Sequence, residues 1–406
     1  MDYNHIIRGV RGVKKEFRFD TKAIHGEELK KNPENALNPP IFQTTTFVFE
    51  DLDHVEKVMS FESQDYVYTR GNNPTLRLFE NRMAELEYGK GAVAFSSGMA
   101  AISSVLFSLL RPNDKVLAHK TLYGSSYNVI TNILPKYGVE YKLIDMTNLE
   151  ELGKSLEDKV KVIYFETPSN PDLSIIDIEE VSKIAHQRGI KVVVDNTFAT
   201  PCFQNPLLLG ADVVVHSATK YICGHGDALG GVAISKDEAY IHYLKFDYMC
   251  EFGGVMSPFN AWLMLRGIKT LGLRMRQHEK NAIEVAKFLS RHPKVKNVLY
   301  PGLESFKGHG IAKKQMRGFG AIISFEIEGG RKELEEFIKG LKLCQLAVSL
   351  GDAETLVEVP SIMTHRGYPK EKLEDFGFKE NTVRISVGLE DYNDIIEDLE
   401  DALKRI

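Results

Sequence analysis

Short apolar runs rich in β-branched residues recur along the first two thirds of the chain, and helical stretches separate them. This alternation predicts an α/β fold in which parallel strands are joined by crossover helices. The predicted strands are Val93–Phe95, Val116–Ala118, Val162–Phe165, Val192–Val194, Val213–Val215 and Val232–Ile234. Ligands bind beyond the carboxyl ends of such strands, so the polar residues that follow them are the first candidates for a site.

One connection between predicted strands carries a complete set of helix signals. Asp177 can cap the first turn, Glu180 is placed to complete a capping box, and Gly189 ends the pattern just before the next strand. The apolar positions that share one face of this helix are Ile178, Val181, Ile184 and Ala185. The segment is therefore predicted to be an amphipathic helix packed on the sheet.

The pattern changes after Ser257, where a long helical stretch runs from Ala261 to Arg291. A strand at Ile322–Ile327, another helix and an amphipathic helix ending at Ile406 follow, which predicts a smaller C-terminal α/β domain. We divide the chain into an N-terminal arm (1–65), a large domain (66–256) and a small domain (257–406). The arm contains the stretch NPPIFQTTTF, which favours wrapping over another surface rather than joining the sheet.

Composition and charge exclude several classes of protein. The 406 residues are 43% hydrophobic and 26% charged, as in ordinary globular proteins, and they suffice for two domains. The net charge of -5 is spread along the chain, which argues against nucleic acid or anionic lipid as a partner. Four isolated cysteines without C-x-x-C spacing predict neither a metal site nor disulfides, and they fit a reducing cytoplasm.

The uncharged segment Gly91–Leu110 could be mistaken for a membrane span. It contains five serines and Gly98, so a strand, a turn and a buried helix explain it better. The first twenty residues mix acidic and basic side chains without an apolar core, which predicts no secretory signal.

The segment VVVHSATKYICGHGD carries the strongest candidate for chemistry. Lys220 follows a buried strand, and a lysine amine held in a pocket can form a Schiff base with a carbonyl cofactor. Ser217 and Thr219 offer hydroxyl groups beside it that suit a phosphate. Asp195 follows the neighbouring predicted strand, where a carboxylate could keep a pyridine nitrogen protonated. Taken singly, Lys220 could be a solvated loop residue and Asp195 a turn former.

The stretch SSGMAA places Gly98 where a strand turns into a helix, whose free N–H groups attract a phosphate. Alone, such a turn can use glycine for geometry only. The nearby GHGDALGG lacks the third glycine of a dinucleotide-binding fingerprint, because Leu229 takes its place.

Nine motifs in order resemble the Cys/Met-metabolism family of pyridoxal 5'-phosphate (PLP) enzymes. They are SSGMAA, YTRGNNPT, LYGSSY, ETPSNP, VVVDNT, SATKY, SLGDAE, PSIMTH and RISVGLED. The resemblance runs from about Asp20 to the C-terminus. It implies PLP as cofactor, the fold-type-I transferase architecture of the aspartate aminotransferases, and a homotetramer built from two dimers that share active sites.

The resemblance also implies roles for individual residues. Lys220 matches the Schiff-base lysine, Asp195 the partner of the pyridine nitrogen, and Tyr123 the ring stacked on the cofactor. The residues that match phosphate contacts are Gly98, Met99, Ser217 and Thr219 from the same subunit, and Tyr68 and Arg70 from the neighbouring one. The residues that match contacts to the substrate are Asn170, Ser349 and Arg384, with Tyr68 and Ser125 beside them. Without the motifs, Tyr68 and Arg70 are typical of a solvated strand, and Arg384 of an edge strand.

Within the family, GHGD, SLGDAE and MSPFNAWLMLRGIKTLGLRM resemble the bacterial methionine γ-lyases most. This resemblance implies α,γ-elimination, with Lys220 moving protons and Tyr123 donating one to the departing sulfur. Ser125 stands where those lyases usually have cysteine, and Met249 and Cys250 where they have a Lys-Asp pair. Cystathionine γ-lyase is therefore the alternative, and a γ-replacement enzyme, an O-acetylhomoserine sulfhydrylase or cystathionine γ-synthase, is a further one. An aminotransferase and a non-catalytic scaffold are the rival classes.

Overall fold

The structure is a computed structural model that describes residues 17–26 and 32–406. Residues 1–16 and 27–31 of the predicted arm lie outside the described part of the chain. In the rest of the arm, the Trp262 indole N–H donates to the Pro39 carbonyl at 3.0 Å, and Thr46 forms an isolated antiparallel bridge with Tyr68. The extended stretch of the arm thus lies over the body of the molecule instead of joining either sheet.

The structure contains two β-sheets, and the larger one has seven strands. Its strands are β1 Gly91–Phe95, β2 Lys115–His119, β3 Glu140–Ile144, β4 Val160–Glu166, β5 Lys191–Asp195, β6 Val213–Ser217 and β7 Gly231–Ser235. They are arranged in the order β1-β7-β6-β5-β4-β2-β3. All six predicted strands are confirmed. The edge strand β3 was not predicted, because most of its residues are exposed and its sequence carries no apolar run.

The sheet is mostly parallel, as predicted, and β7 is its reversed strand. β7 runs antiparallel to both β1 and β6. A parallel neighbour needs a crossover helix, but the thirteen residues between Ser217 and Gly231 form only turns. The chain therefore folds back after β6, and the returning segment, residues 218–230, holds Lys220 at the end of the sheet.

Fifteen α-helices lie around the sheets within the described residues. They are α1 Phe19–His25, α2 Leu52–Met59, α3 Pro74–Leu86, α4 Gly98–Leu109, α5 Gly124–Asn128, α6 Leu149–Ser155, α7 Ile178–His186, α8 Thr200–Phe203, α9 Glu238–Tyr243, α10 Cys250–Phe252, α11 Pro258–Ile268, α12 Leu271–Arg291, α13 His309–Gln315, α14 Arg331–Gly340 and α15 Tyr392–Leu403. The segment Gly91–Leu110 is the predicted strand, turn and helix. Of residues 17–26 and 32–406, no helix combines the length and apolar character of a membrane span.

The predicted amphipathic helix is α7, and its cap differs in one detail from the prediction. The Asp177 side chain accepts a hydrogen bond from the backbone N–H of Glu180, as expected for an N-cap. The Glu180 carboxylate does not complete a capping box, because it bonds to Lys183 at 2.8 Å instead. Gly189 follows the helix in the left-handed region, with φ 66°.

The C-terminal part of the chain contains a five-stranded sheet. Its strands are β8 Val295–Leu299, β9 Ile322–Ile327, β10 Gln345–Leu346, β11 Leu356–Glu358 and β12 Thr382–Ser386, arranged in the order β10-β11-β12-β9-β8. The predicted strand at β9 is confirmed. Arg384 lies on β12, which has a neighbour on each side, so the edge-strand interpretation of this residue is wrong. The domain boundaries after residues 65 and 256 stay predictions.

The long helix predicted between Ala261 and Arg291 is two helices, α11 and α12. The Gly267 carbonyl accepts hydrogen bonds from the Thr270 backbone N–H at 3.2 Å and from Arg274 Nη2 at 2.9 Å. These donors replace the N–H group four residues ahead that would continue the helix. The break follows from a tertiary contact of Arg274 that hydrophobic periodicity does not report.

Candidate active site

A cavity of about 260 Å³ opens where strands β4, β5 and β6 end. Predicted site residues that line it are Gly98, Met99, Tyr123, Asn170, Asp195, Ser217, Thr219, Lys220, Ser349 and Arg384. The large sheet, the loop after β6 and the C-terminal unit all contribute to the wall. Side chains separated by almost three hundred positions in sequence therefore face one space.

Lys220 reaches into this cavity from the loop between β6 and β7. Its Nζ donates a hydrogen bond to Ser349 Oγ at 2.7 Å. Burial, helped by the nearby Arg384 guanidinium, lowers the pKa of the Lys220 amine from 10.5 to about 8. The uncharged amine is therefore far more populated close to neutral pH than that of an ordinary lysine, which suits both nucleophilic attack and proton transfer.

The N-terminus of α4 and the start of the β6–β7 loop form one end of the cavity. The helix begins at Gly98, and the Ser97 side chain caps it by accepting a hydrogen bond from the Ala100 N–H at 3.1 Å. A Cβ at position 98 would lie 2.7 Å from the Ser217 Cβ, so only glycine permits this close approach. Thr219 is held by the Gly230 N–H, which donates to its Oγ1 at 3.0 Å. Free N–H groups and two hydroxyl groups thus meet where an anion would bind.

Two carboxyl groups on neighbouring strands also line the cavity. Glu166 on β4 and Asp195 on β5 are cross-strand neighbours, and both are buried. Burial, and then the proximity of Asp195, raises the pKa of Glu166 well above its usual range. Burial also raises the pKa of Asp195, but hydrogen bonds from Thr197 oppose the rise. Of the two groups, Asp195 is therefore the one that more readily carries the negative charge.

Glu166 was predicted only as a polar residue at the end of a strand, without a role, and Thr197 was not predicted. Glu166 Oε1 accepts a hydrogen bond from the backbone N–H of Tyr123 at 2.8 Å, and Thr197 Oγ1 accepts one from the Ser217 N–H at 2.9 Å. Both residues stand at strand ends, which was the available signal in the sequence. Their functions become visible only when the strands are placed side by side.

Arg384 occupies the wall formed by the five-stranded sheet. Its Nη1 donates to Asn170 Oδ1 at 2.9 Å and forms an ion pair with Glu358 at 2.8 Å. Its Nη2 donates to the Ser349 carbonyl at 2.8 Å. Glu358 was not predicted, because only the pairing of β11 with β12 brings it opposite Arg384. The arginine is thus fixed in place beside the amine of Lys220.

Tyr123 lies at the mouth of the cavity, immediately before α5, and is partly exposed. The structure does not place three other predicted residues in the wall: Ser125 is half-buried on α5, and Tyr68 and Arg70 lie outside the lining. Arg70 stacks over the Tyr68 ring at 5.9 Å, and Tyr68 is 45% exposed. Both side chains are therefore placed on the outside of their own subunit.

Of the positions that depart from the methionine γ-lyase pattern, Cys250 contacts this pair. Met249 and Cys250 are buried, and Cys250 Sγ contacts the Arg70 carbonyl at 3.4 Å. The four cysteines are free and buried. Within the described residues, no group of three His, Cys, Asp or Glu side chains is arranged to hold a metal ion.

The donor set of the cavity fits PLP. The helix N-terminus at Gly98 with Ser217 and Thr219 suits the phosphate, and the Lys220 amine suits the aldehyde carbon. The Asp195 carboxyl group, which also lines the cavity, suits a protonated pyridine nitrogen. One cavity thus offers a matching partner for each polar part of the cofactor.

Comparison with known proteins agrees with this fit. The family model described as "Cys/Met metabolism PLP-dependent enzyme" matches residues 20–404. The chain is 47% identical to an L-methionine gamma-lyase of Fusobacterium nucleatum subsp. polymorphum over 395 residues, covering 97% of this chain and 99% of that protein. It is 42% identical to a cystathionine beta-lyase of Lactococcus lactis subsp. cremoris over 385 residues, covering 95% and 98% respectively.

A solved structure, that of metB from Corynebacterium glutamicum, superimposes with a TM-score of 0.90 at 39% identity and covers 97% of this chain and 99% of that one. The fold expected from the motifs, PLP fold type I, is therefore confirmed. Because the family match spans nearly the whole chain and the cavity offers the cofactor its partners, this chain belongs to the Cys/Met metabolism family of PLP-dependent enzymes.

Proposed function

We propose that this enzyme is a carbon–sulfur lyase that converts L-methionine and water to 2-oxobutanoate, methanethiol and ammonia. The observation that carries the proposal is the position of Lys220. We call Gly98, Ser217 and Thr219, which are predicted to hold the cofactor phosphate, the cradle. The Lys220 amine, whose pKa is lowered to about 8, lies between this cradle and Arg384. Ser349 contacts the side chains of both Lys220 and Arg384. An amino acid whose carboxylate is held by Arg384 presents its Cα hydrogen to this amine.

The residues that hold PLP in this proposal are those of the cradle and the carboxyl pair. Gly98, Ser217 and Thr219 bind the phosphate, and Asp195 holds the pyridine nitrogen. When bound, PLP supplies an electron acceptor that stabilises negative charge on the amino acid. Glu166 keeps Tyr123 in place at the mouth of the cavity through the backbone N–H of Tyr123.

Two side chains move protons in this proposal. Lys220 removes the proton from Cα and transfers protons at the next carbon, because its lowered pKa of about 8 makes the uncharged amine accessible near neutral pH. Tyr123 donates a proton to the sulfur that leaves from the γ-carbon. The cradle and the arginine hold the two ends of the substrate complex, so both transfers occur over short distances.

The lining of the cavity supports methionine as the substrate. Its apolar residues are Met99, Ile102, Phe198, Leu229, Val348 and Leu350. Its charged residues among the described part of the chain are Glu166, Asp195, Lys220 and Arg384, and each already has a place in the proposal. A thioether suits these walls, whereas the second amino-acid head group of cystathionine needs further polar partners. Cystathionine γ-lyase and γ-replacement activities are the alternative proposals.

We propose that the enzyme works in the cytoplasm as a homotetramer, a dimer of dimers. Tyr68 and Arg70 support this assembly, because they carry a predicted phosphate-binding function and yet lie outside the cavity of their own subunit. In a dimer they complete the phosphate site of the neighbouring subunit.

Product analysis of the purified holoenzyme tests the proposed reaction. The enzyme is incubated separately with L-methionine, L-cystathionine, L-cysteine, L-homocysteine and O-acetyl-L-homoserine, the last with and without sulfide. The proposal predicts 2-oxobutanoate and methanethiol in equal amounts from methionine. A thioether or thiol product formed only from O-acetyl-L-homoserine plus a sulfur nucleophile would contradict it and support γ-replacement.

A further inference from the structure

A buried carboxylate stands beside the arginine that is proposed to hold the substrate. Glu358 on β11 and Arg384 on β12 are directly opposite each other in the antiparallel register. Glu358 Oε1 lies 2.8 Å from Arg384 Nη1, and the two side chains are 1% and 3% exposed. Because the sheet sets this geometry, the ion pair is a permanent part of the wall and not a mobile surface contact.

The hydrogen bonds around Arg384 leave one edge of its guanidinium free. Nη1 donates to Glu358 and to Asn170 Oδ1, and Nη2 donates to the Ser349 carbonyl. Nε is buried without a hydrogen-bond partner, as is Oε2 of Glu358. The remaining donors are therefore Nε–H and the second N–H of Nη2, which lie along one edge and match the two oxygens of a carboxylate.

Glu358 is held independently of Arg384. The Thr364 hydroxyl donates to Glu358 Oε1 at 2.7 Å, and Thr364 Oγ1 lies 2.9 Å from His365 Nδ1. His365 Nε2 in turn lies 2.9 Å from the Asn170 carbonyl oxygen. These contacts keep the Glu358 carboxylate in place when a second carboxylate reaches the free edge of Arg384.

We propose that Glu358 is a resident counter-ion that positions Arg384 and sets its affinity for the substrate carboxylate. This inference rests on the proposed function, in which Arg384 holds that carboxylate. In the empty site Glu358 gives the buried guanidinium the negative partner it needs. In the complex two carboxylates share one cation, and their repulsion weakens binding. The 2-oxo acid product carries the same carboxylate, so Glu358 also favours its release.

The test replaces Glu358 with glutamine, which keeps an oxygen acceptor for Arg384 and Thr364 but removes the charge. The probe is 4-(methylthio)butanoate, which has the carboxylate and thioether of methionine at the same spacing but no amino group and therefore does not react. Calorimetric titration of the Glu358→Gln holoenzyme is expected to give a Kd about tenfold lower than that of the unmodified enzyme. KM for methionine should fall as well, because the substrate carboxylate gains the same interaction as that of the probe.

Thermal unfolding supplies a readout that does not depend on turnover. The ligand-free Glu358→Gln holoenzyme should melt at a lower temperature, because a buried guanidinium has lost its partner charge. The probe should then raise its melting temperature more than that of the unmodified enzyme. A Glu358→Asp variant moves the carboxylate away from Arg384 by one methylene group. It should bind the probe about threefold more tightly than the unmodified enzyme. This variant replaces Glu358→Gln in the test if the glutamine variant does not fold.

Glu80→Gln is the matched control. Glu80 pairs with Lys245 at 2.7 Å, is also buried and does not line the cavity, so its replacement should leave the Kd of the probe unchanged. Unchanged or weaker probe binding by the folded Glu358 variants would overturn the inference. Absence of methionine turnover in the unmodified enzyme would instead contradict the proposed reaction. The two failures can be told apart, because the probe can bind to an enzyme that does not turn over methionine.

Discussion

At the scale of single residues, Lys220 shows how burial prepares an amine for chemistry. Most of its surroundings are protein, and the nearest fixed cation, Arg384, also disfavours a charged amine. Both effects lower the pKa of Lys220 to about 8. The folded protein thus prefers the uncharged amine over a pH range in which an exposed lysine is still protonated.

The pH dependence of cofactor attachment tests this shift. When PLP is added to the cofactor-free enzyme, only the uncharged Lys220 amine attacks the aldehyde. The rate, followed by the appearance of yellow absorption, should rise with pH and reach half its maximum near pH 8. A midpoint close to the ordinary lysine value of 10.5 would show that the amine is not shifted.

The same shift affects stability in a defined direction. Between pH 8 and 10.5 the unfolded chain binds a proton at Lys220 that the folded chain does not. The free energy of unfolding contributed by this group therefore rises with pH across that window. A Lys220→Met variant of the cofactor-free enzyme should lack this rise, whereas below pH 8 it should be the more stable of the two in chemical denaturation.

Residue types at strand ends predicted Gly98, Asp195, Ser217, Thr219 and Lys220, and the family motifs predicted the other site residues that line the cavity. The residues that escaped prediction have a common physical cause. Asp195 directly follows an apolar run and Lys220 comes five residues after another, so the sequence alone places both near the carboxyl ends of strands. Glu358 depends on the pairing of β11 with β12, and Glu166 on the register between β4 and β5. Neither register is encoded by local hydrophobic periodicity.

At the scale of elements, the cradle depends on how closely α4 approaches the end of β6. The hydrogen atom of Gly98 lets the first turn of the helix lie against Ser217. The neighbouring Gly231 of β7 is equally confined, since a Cβ there would lie 2.1 Å from the Ser97 carbonyl oxygen. The reversal of β7, which the sequence pattern did not predict, thus brings a second backbone against the cradle.

A Gly98→Ala variant tests the importance of this approach. The added methyl group would lie 2.7 Å from the Ser217 Cβ and 2.9 Å from its Cα, so the helix N-terminus must move away. We expect the affinity of the cofactor-free enzyme for PLP to fall at least about tenfold, since helix N-termini act on anions only at close range. Equilibrium dialysis measures the change.

Gly153→Ala is the control for this substitution. Gly153 lies in α6, and a Cβ there would meet nothing within 4 Å. Alanine in place of glycine should therefore leave PLP affinity unchanged and stabilise the helix slightly. Equal PLP affinity of both variants would show that the Gly98 contact does not shape the phosphate site.

Two elements differ from the form that the local sequence pattern predicted, and in both the cause lies in tertiary structure. The break between α11 and α12 follows from Arg274 capturing the Gly267 carbonyl, and the reversal of β7 from a loop that contains no helix. Helix α7 and strand β9 were predicted correctly because their local signals agree with their packing.

At the scale of the whole molecule, the position of Tyr68 and Arg70 bears on assembly. Both face away from the cavity of their own subunit, although the family resemblance gives them phosphate contacts across a dimer. If each active site draws on two chains, defects in different parts of the site can compensate in a mixed dimer.

Mixing two inactive variants tests this sharing. Lys220→Ala and Arg70→Ala, unfolded and refolded together with PLP, should form mixed dimers in which one of the two sites is intact. Random pairing predicts about a quarter of the normal specific activity. Activity no higher than the sum of the separate variants, with mixed dimers demonstrated by mass, would contradict sharing of the site.

The most direct test of the central claim is mass spectrometry of the holoenzyme after borohydride reduction. Reduction fixes the cofactor on the amine to which it is joined, and peptide mapping locates it. We predict a pyridoxyl phosphate adduct at Lys220, with activity lost in proportion to the adduct. An unmodified Lys220, or an adduct at another lysine with activity retained, would contradict the account.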